Sequence, residues 1–175
     1  ENIRALARAK SVDVSDIRVA VLDRPRHEQL IADIRAAGAG TRLIMDGDVA
    51  GGVNAARWDP AIDMCAGIGG TPEGIITACA VKALGGVIQG RLWPKDDEER
   101  QRAIDAGHDL SRVLQANDLV ASDNAYFVAT GITDAEFIDG VQRRGPFVRA
   151  ESIVMRSHSG TIRHVISDMD PNRWN

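Results

Sequence analysis

The strongest constraint on this chain is an alternation between two kinds of periodicity. Apolar, partly β-branched runs lie at residues 17–22, 42–45, 61–66 and 87–92. Between them, at 27–37, 48–57 and 72–84, the sequence reads as helix, with Leu30, Ile31, Ile34 and Ala37 at helical spacing in the first stretch and the strongest signal in the third. The helices carry their own punctuation. Gly38 stops the first, Pro72 sits near the start of the third, and Gly85-Gly86 ends it. Strands that alternate with helices cannot pair as hairpins, so this part of the chain predicts an α/β fold whose sheet is parallel at first. A charged helix at 96–106 stops at Gly107, and the remainder is richer in strands, at 124–130, 151–157 and 161–166. The last two pair through Ser157-His-Ser-Gly160 as a hairpin. The expected architecture is a single α/β domain over 1–175, with a mixed β-sheet flanked by helices. Ile3, Leu6, Ala7 and Lys10 share a helical face, and position 1 is not Met, so the sequence reads as one that starts inside a longer chain.

Composition narrows the function. At roughly 150 residues per domain, 175 residues make one domain, or one plus a short extension. A chain of this size buries about 70% of its unfolded surface and needs no disulfide to do so. Twenty-five acidic against 21 basic residues leave a net charge of −4, which argues against a protein built to hold a nucleic-acid backbone. The longest apolar stretch, 75–88, is broken by Thr77, Lys82, Gly85 and Gly86, so no membrane span is expected. The first residues contain no apolar leader. Cys65 and Cys79 lie in apolar surroundings and read as core thiols of a reducing compartment, which makes the cytoplasm the expected location. No CxxC or HExxH spacing occurs, so a soft-ligand zinc site is not expected.

In an open α/β sheet ligands collect beyond the carboxyl ends of the strands, so the loops there matter most. After the first strand comes Asp23-Arg24-Pro25-Arg26-His27. Two guanidiniums flank a rigid Pro at a helix start, an arrangement suited to phosphate oxygens. A charged surface turn is the plainer reading. After the second strand comes Asp46-Gly47-Asp48, whose paired carboxylates suit a cation or sugar hydroxyls. Alternatively, Asp48 caps the following helix. After the third strand comes Gly67-Ile-Gly69-Gly70-Thr-Pro-Glu73-Gly74, the most specific local signal. Its glycines allow close approach of an anion to a helix start. Pro72 excludes the dinucleotide fingerprint, and no Gly-Lys-Ser/Thr follows to make a Walker loop. Glu73 is either an acid favoured by the helix dipole or a metal ligand beside a phosphate. Together the three loops suit a phosphorylated polyol and a hard divalent cation. The other candidates read as structure. Ser157, His158 and Ser159 form a hairpin tip with nothing to orient a base, and 95–100 is a solvated helix start.

Taken in order, Leu22-Asp-Arg-Pro-Arg-His27, Asp46-Gly-Asp-Val49 and Gly67-Ile-Gly-Gly-Thr-Pro-Glu-Gly74 resemble the class II (GlpX-type) fructose-1,6-bisphosphatase family. Gly90-Arg-Leu-Trp-Pro94, Ser122-Asp-Asn124, Ala129-Thr-Gly-Ile-Thr133, Val154-Met-Arg-Ser157 and Ser159-Gly-Thr-Ile-Arg163 extend the resemblance to about residue 166. The resemblance implies a layered sugar-phosphatase fold, of which this chain would be the second lobe. It implies that Arg24, Pro25 and Arg26 hold the distal sugar phosphate, with Arg24 standing where many members have Lys. Asp46, Gly47 and Asp48 would contact the sugar, Gly70 would face substrate, and Glu73 would bind a metal, Mg2+ or Mn2+. The implied reaction is hydrolysis of the 1-phosphate of fructose 1,6-bisphosphate, in gluconeogenesis or the Calvin cycle. Some members also act on sedoheptulose 1,7-bisphosphate.

The family's N-terminal half, with its Asp-Pro-Ile-Asp-Gly-Thr type motif and further acidic metal ligands, has no counterpart in this sequence. No catalytic residue is therefore assigned here, and the isolated chain is expected to be inactive. Its expected partners are the sugar bisphosphate, the missing half of the enzyme, and further copies in a dimer or tetramer, with no nucleic acid and no membrane. An apolar face that the missing half would cover is expected to be exposed. The competing reading is a non-catalytic α/β module that binds a sugar phosphate or nucleotide.

Overall fold

A computed structural model describes residues 1–174. Helix α1 (Asn2–Lys10) precedes strand β1 (Arg18–Leu22), helix α2 (Glu28–Ala36) and strand β2 (Gly40–Ile44). Helix α3 (Asp48–Ala56), the short strand β3 (Met64–Cys65) and helix α4 (Thr71–Leu84) follow. All three strands are parallel, in the order β2-β1-β3, with Val19 opposite Thr41 on one side and Met64 on the other. The chain thus leaves β1 for one neighbour and returns to pair on its other side. Such a reversal opens a crevice at the carboxyl ends of β1 and β3.

The core explains why β1 is a continuous apolar run. Val19, Ala20 and Val21 are all fully buried, as a central parallel strand covered on both faces must be. Ile17, Val19 and Val21 pack with Ala7 of α1 and with Ile31 and Ile34 of α2. Helix α3 touches β1 and β3, and it also packs along α4. The small residues of α3 make this closeness possible. A Cβ on Gly51 would lie 3.0 Å from Ile44 Cδ1 and 3.1 Å from Cys65 Sγ.

Beyond α4, the two-stranded ribbon β4 (Gln89–Gly90) and β5 (Leu114–Gln115) brackets helix α5 (Asp97–Asp105), and the short helix α6 (Ala116–Leu119) follows. Asp96 caps α5 by accepting the Glu99 N–H at 2.8 Å. The last layer is antiparallel: β6 (Tyr126–Thr130), β7 (Gln142–Arg144), β8 (Phe147–Arg156) and β9 (Thr161–Met169). Strand β8 pairs along one edge with β9; β6 and β7 share its other edge end to end. Phe127, Ile153 and Met155 bury themselves against Val53 of α3 and Ala80 and Ala83 of α4. The layers therefore run α1/α2, parallel sheet, α3/α4, antiparallel sheet. Glu136 ties the last layer to the second: it pairs with Arg42 of β2 and accepts the Asn54 amide at 2.8 Å.

The α/β class stands, with the strands divided among three sheets and not one mixed sheet. The hairpin formed by β8 and β9 turns at Ser157–Gly160 as expected, with Gly160 at φ 58°. The strand expected at 87–92 shrinks to Gln89–Gly90, because β5 offers it only two partners and Val87 is 83% exposed. The strand expected at 61–66 shrinks to Met64–Cys65, and that expected at 42–45 starts earlier, at Gly40. Large apolar side chains do remain exposed, among them Met45, Trp58, Val128 and Ile132. Among the described residues no helix is long and apolar enough to cross a membrane.

Candidate functional site

Because the strands are parallel, the loops after β1, β2 and β3 leave the same edge of the sheet, and residues that follow all three meet at Gly67–Gly70. Pro25 opens a single 3-10 turn, Pro25–His27, that leads into α2. From it Arg26, exposed, donates its Nε–H to the Ile68 carbonyl at 2.9 Å. His27 is 1% exposed, and both ring nitrogens are engaged. Its Nδ1 lies 2.8 Å from the Leu22 carbonyl, and its Nε2 lies 2.8 Å from the Ile68 nitrogen. An amide N–H can only donate, so Nε2 accepts and the ring proton sits on Nδ1. The Arg-Pro-Arg segment and the glycine loop are thereby joined across the reversal between β1 and β3.

The acidic residues close on the same loop. Asp48 begins α3 and accepts its neighbour's Val49 N–H on Oδ1 at 2.9 Å. Its Oδ2 lies so close to Gly69 that a Cβ there would come within 2.8 Å. Gly70, the residue before α4, has an extended backbone that any residue adopts, with φ −72°. The Glu73 carboxylate folds back over it at the helix start, so a Cβ there would push Glu73 Oε2 aside. The site thus places Asp48 over Gly69 and Glu73 over Gly70, on adjacent residues.

The remaining expected residues are less engaged. Arg24, half-buried, donates to the carbonyl of its neighbour Asp23 at 2.9 Å. Asp46 is exposed and accepts the Gly47 N–H on its own side chain at 3.0 Å. Neither bonds to the glycine loop among the described residues. Gly47 takes a left-handed conformation at φ 81° and is the residue before α3. The alternative that Asp48 caps that helix is therefore corrected: Gly47 holds the cap position, and Asp48 is the first helical residue.

Electrostatically the glycine loop meets two carboxylates, Asp48 and Glu73, and one guanidinium, Arg26. Burial pushes the Cys65 thiol up to about 11, and the Asp48 carboxylate adds to that rise. Carboxylate oxygens are the hard donors that Mg2+ or Mn2+ prefers, and such ions take only one or two carboxylates from a protein when phosphate and water complete the shell. Glu73 fits that partial donor set. Among the described residues no group of three or more His, Cys, Asp or Glu converges to form a full one.

The reading of the sequence placed His27 at a helix start and gave it no role. A signal was there: residues 27, 31 and 34 lie on the stripe of α2 that faces the core, and a His on such a stripe must find partners. A cleft of about 530 Å3 lies elsewhere, between the C-terminal end of α4 and α6. Its cations are already matched, Lys82 to Asp123 at 3.1 Å and Arg112 to Asp118.

Comparison with known proteins adds to this geometry. The family described as bacterial fructose-1,6-bisphosphatase, glpX-encoded, matches residues 1–169. A class 2 fructose-1,6-bisphosphatase of Haemophilus influenzae is 39% identical over 180 residues, covering 95% of this chain and 54% of that protein. Fructose-1,6-bisphosphatase 1 class 2 of Escherichia coli K12 is 34% identical with the same coverage. The chain spans about half the length of the curated relatives it matches. On the match over residues 1–169, this chain belongs to the glpX-encoded bacterial fructose-1,6-bisphosphatase family.

Proposed function

We propose that this chain is the sugar-phosphate-binding part of an enzyme that hydrolyses the 1-phosphate of fructose 1,6-bisphosphate. One observation carries the reading: Arg26, Asp48 and Glu73 converge on the single loop Gly67–Gly70 at the strand reversal. In this assignment Arg24 and Arg26, set apart by rigid Pro25, grip the distal phosphate through charge-assisted hydrogen bonds. Asp46 and Asp48, separated by Gly47, accept the hydroxyls of the sugar between. Gly70 leaves its backbone open to the phosphate that is cleaved, and Glu73 is the metal ligand.

The charge on the loop fits this division. With Glu73 folded over it, the start of α4 already faces one anion, so a phosphate there needs positive charge beside it. A divalent cation, Mg2+ or Mn2+, held by Glu73 would supply that charge and would lower the pKa of the attacking water. The further ligands would come from an N-terminal half absent from this chain, and that half would cover apolar residues such as Met45 and Trp58. The reading places the enzyme in the cytoplasm as a dimer or tetramer. Sedoheptulose 1,7-bisphosphate has one more carbon between its phosphates, so its affinity relative to fructose 1,6-bisphosphate would report how closely the crevice sets that spacing.

The same crevice would also serve a second reading, a module that binds sugar phosphate without catalysis. Of two measurements, the first tests the binding common to both readings and the second separates them. Calorimetry should show fructose 1,6-bisphosphate binding to the chain, weakened about tenfold by Arg26→Ala, as expected for one charged hydrogen bond. An unchanged affinity would remove Arg26 from the distal-phosphate site. With the N-terminal half of a full-length relative supplied, phosphate release should appear with Mg2+ or Mn2+ and fall roughly a hundredfold in Glu73→Ala. Binding indifferent to metal, with no phosphate release, would favour the module.

A further inference from the structure

The Ile68 peptide is held from both sides, by Arg26 at its carbonyl and by His27 at its N–H. The two ties differ in character. Arg26 is exposed and, in the reading above, turns its guanidinium to a phosphate; its bond to Ile68 is one that ligand can replace. His27 is buried, and both its ring nitrogens are engaged. A Cβ on Gly67 would already lie 3.1 Å from His27 Cε1. Strand β3 is only two residues long, and its last ladder bond to β1 is the Ala66 N–H to the Ala20 carbonyl at 3.0 Å. Past that point His27 is the buried tie between the glycine loop and the end of β1.

We propose that His27 is a positioning residue that fixes the spacing between the Arg24-Pro25-Arg26 segment and the Gly67–Gly70 loop, and so matches the crevice to a ligand with a phosphate at each end. The proposal rests on the functional reading for the identity of that ligand, and on the two ring contacts for the rest. The imidazole acts as a spacer of set length. Its Nδ1–H anchors to the Leu22 carbonyl at the end of β1, and its Nε2 receives the loop. Movement of the loop by a fraction of an ångström would leave each phosphate site intact and spoil their separation. A bisphosphate senses that separation, and a single phosphate does not.

The test compares two probes, each with Mg2+ present, on three forms of this chain, unsubstituted, His27→Asn and His27→Gln. Asparagine can keep the donor near Nδ1 but stops short of Ile68; glutamine can present an acceptor near the Nε2 position. His27→Asn should lose about tenfold in affinity for fructose 1,6-bisphosphate while inorganic phosphate stays within about twofold. His27→Gln should recover most of the bisphosphate affinity. The Ile68 amide should exchange with solvent at least about tenfold faster in His27→Asn than in the other two. Nitrogen NMR of the unsubstituted chain should show the ring proton on Nδ1, a reading that stands even if His27→Asn does not fold. An equal fall for both probes, an Nε2-protonated ring, or unaltered Ile68 exchange would overturn the proposal. If the unsubstituted chain ignores fructose 1,6-bisphosphate, the functional reading fails, and the exchange rates and ring protonation decide the role of His27 alone.

Discussion

Strands β1 and β8 each run through the middle of a sheet, and they are stabilised in opposite ways. Strand β1 is five residues long, with Val19, Ala20 and Val21 buried on both faces. Burying a valine contributes roughly 1.5–3 kcal/mol, so a short strand of this kind needs few polar contacts. Strand β8 is ten residues long and buries Ile153 and Met155 on one face, while its neighbour β9 keeps Val165 and Ile166 exposed. There the polar side chains hold one another. Arg149 gives two hydrogen bonds to Asp168, at 2.8 and 2.7 Å, and His164 lies 2.7 Å from Glu151. The contrast shows where chemistry can reside. Apolar burial holds the parallel layer together and leaves its loop carboxylates and guanidiniums available to ligand; the antiparallel layer engages many of its polar groups in its own cohesion.

Three substitutions would sharpen that contrast. The largest effect is expected from Val21→Asp, which puts an unpaired charge into the two-sided core of β1 and should cost several kcal/mol. Because α3 and α4 are shared between the layers, chemical denaturation should show both sheets lost in one transition; two transitions would make the layers independent.

A smaller, pH-dependent effect is expected at Glu151. The Asp139 N–H holds its carboxyl below the usual range, and His164 lowers it further. A depressed carboxyl stabilises the fold above its unfolded pKa, and that contribution disappears as pH falls through the folded value. Glu151→Gln should therefore be less stable than the unsubstituted chain at neutral pH, with the gap closing as pH drops below about 4. A gap that stays constant with pH would remove the carboxylate from the ladder's stability. The smallest effect is expected at Asp48→Asn, which takes one negative charge from beside Cys65. The thiol, held up at about 11, should titrate lower, yet stay above its ordinary value because burial acts first. Thiol alkylation against pH reads this directly, and an unmoved midpoint would place Asp48 too far away to act.

Much of the parallel layer was legible because burial writes itself into sequence. The apolar run of β1, the stripe of α2 and the Pro and Gly at the ends of α4 all report local requirements. What escaped depends on partners distant in the chain. Strand β2 reaches back to Gly40 and Thr41 only because Arg18 and Val19 lie beside them. Strand β7, Gln142–Arg144, has no apolar residue and exists through its register with Phe147–Arg149. The site followed the same rule. The three loops were readable one by one, and the carboxyl ends of parallel strands said that they would approach each other. That Arg26 and Asp48 would meet the glycine loop, with Arg24 and Asp46 turned to their own neighbours, depended on packing that no single loop encodes.

The strand order β2-β1-β3 also bears on when the crevice comes into being. Arg26 and His27 grip a peptide 42 and 41 residues further along the chain. On a ribosome adding roughly 5–20 residues per second, β1, α2 and β2 can assemble for some seconds before that peptide exists. The crevice is thus born late and all at once, when the strand after α3 is threaded to the far side of β1. A nascent chain halted before that strand would have a core taking shape and no place for a ligand, so ligand retention can report that this threading step is complete.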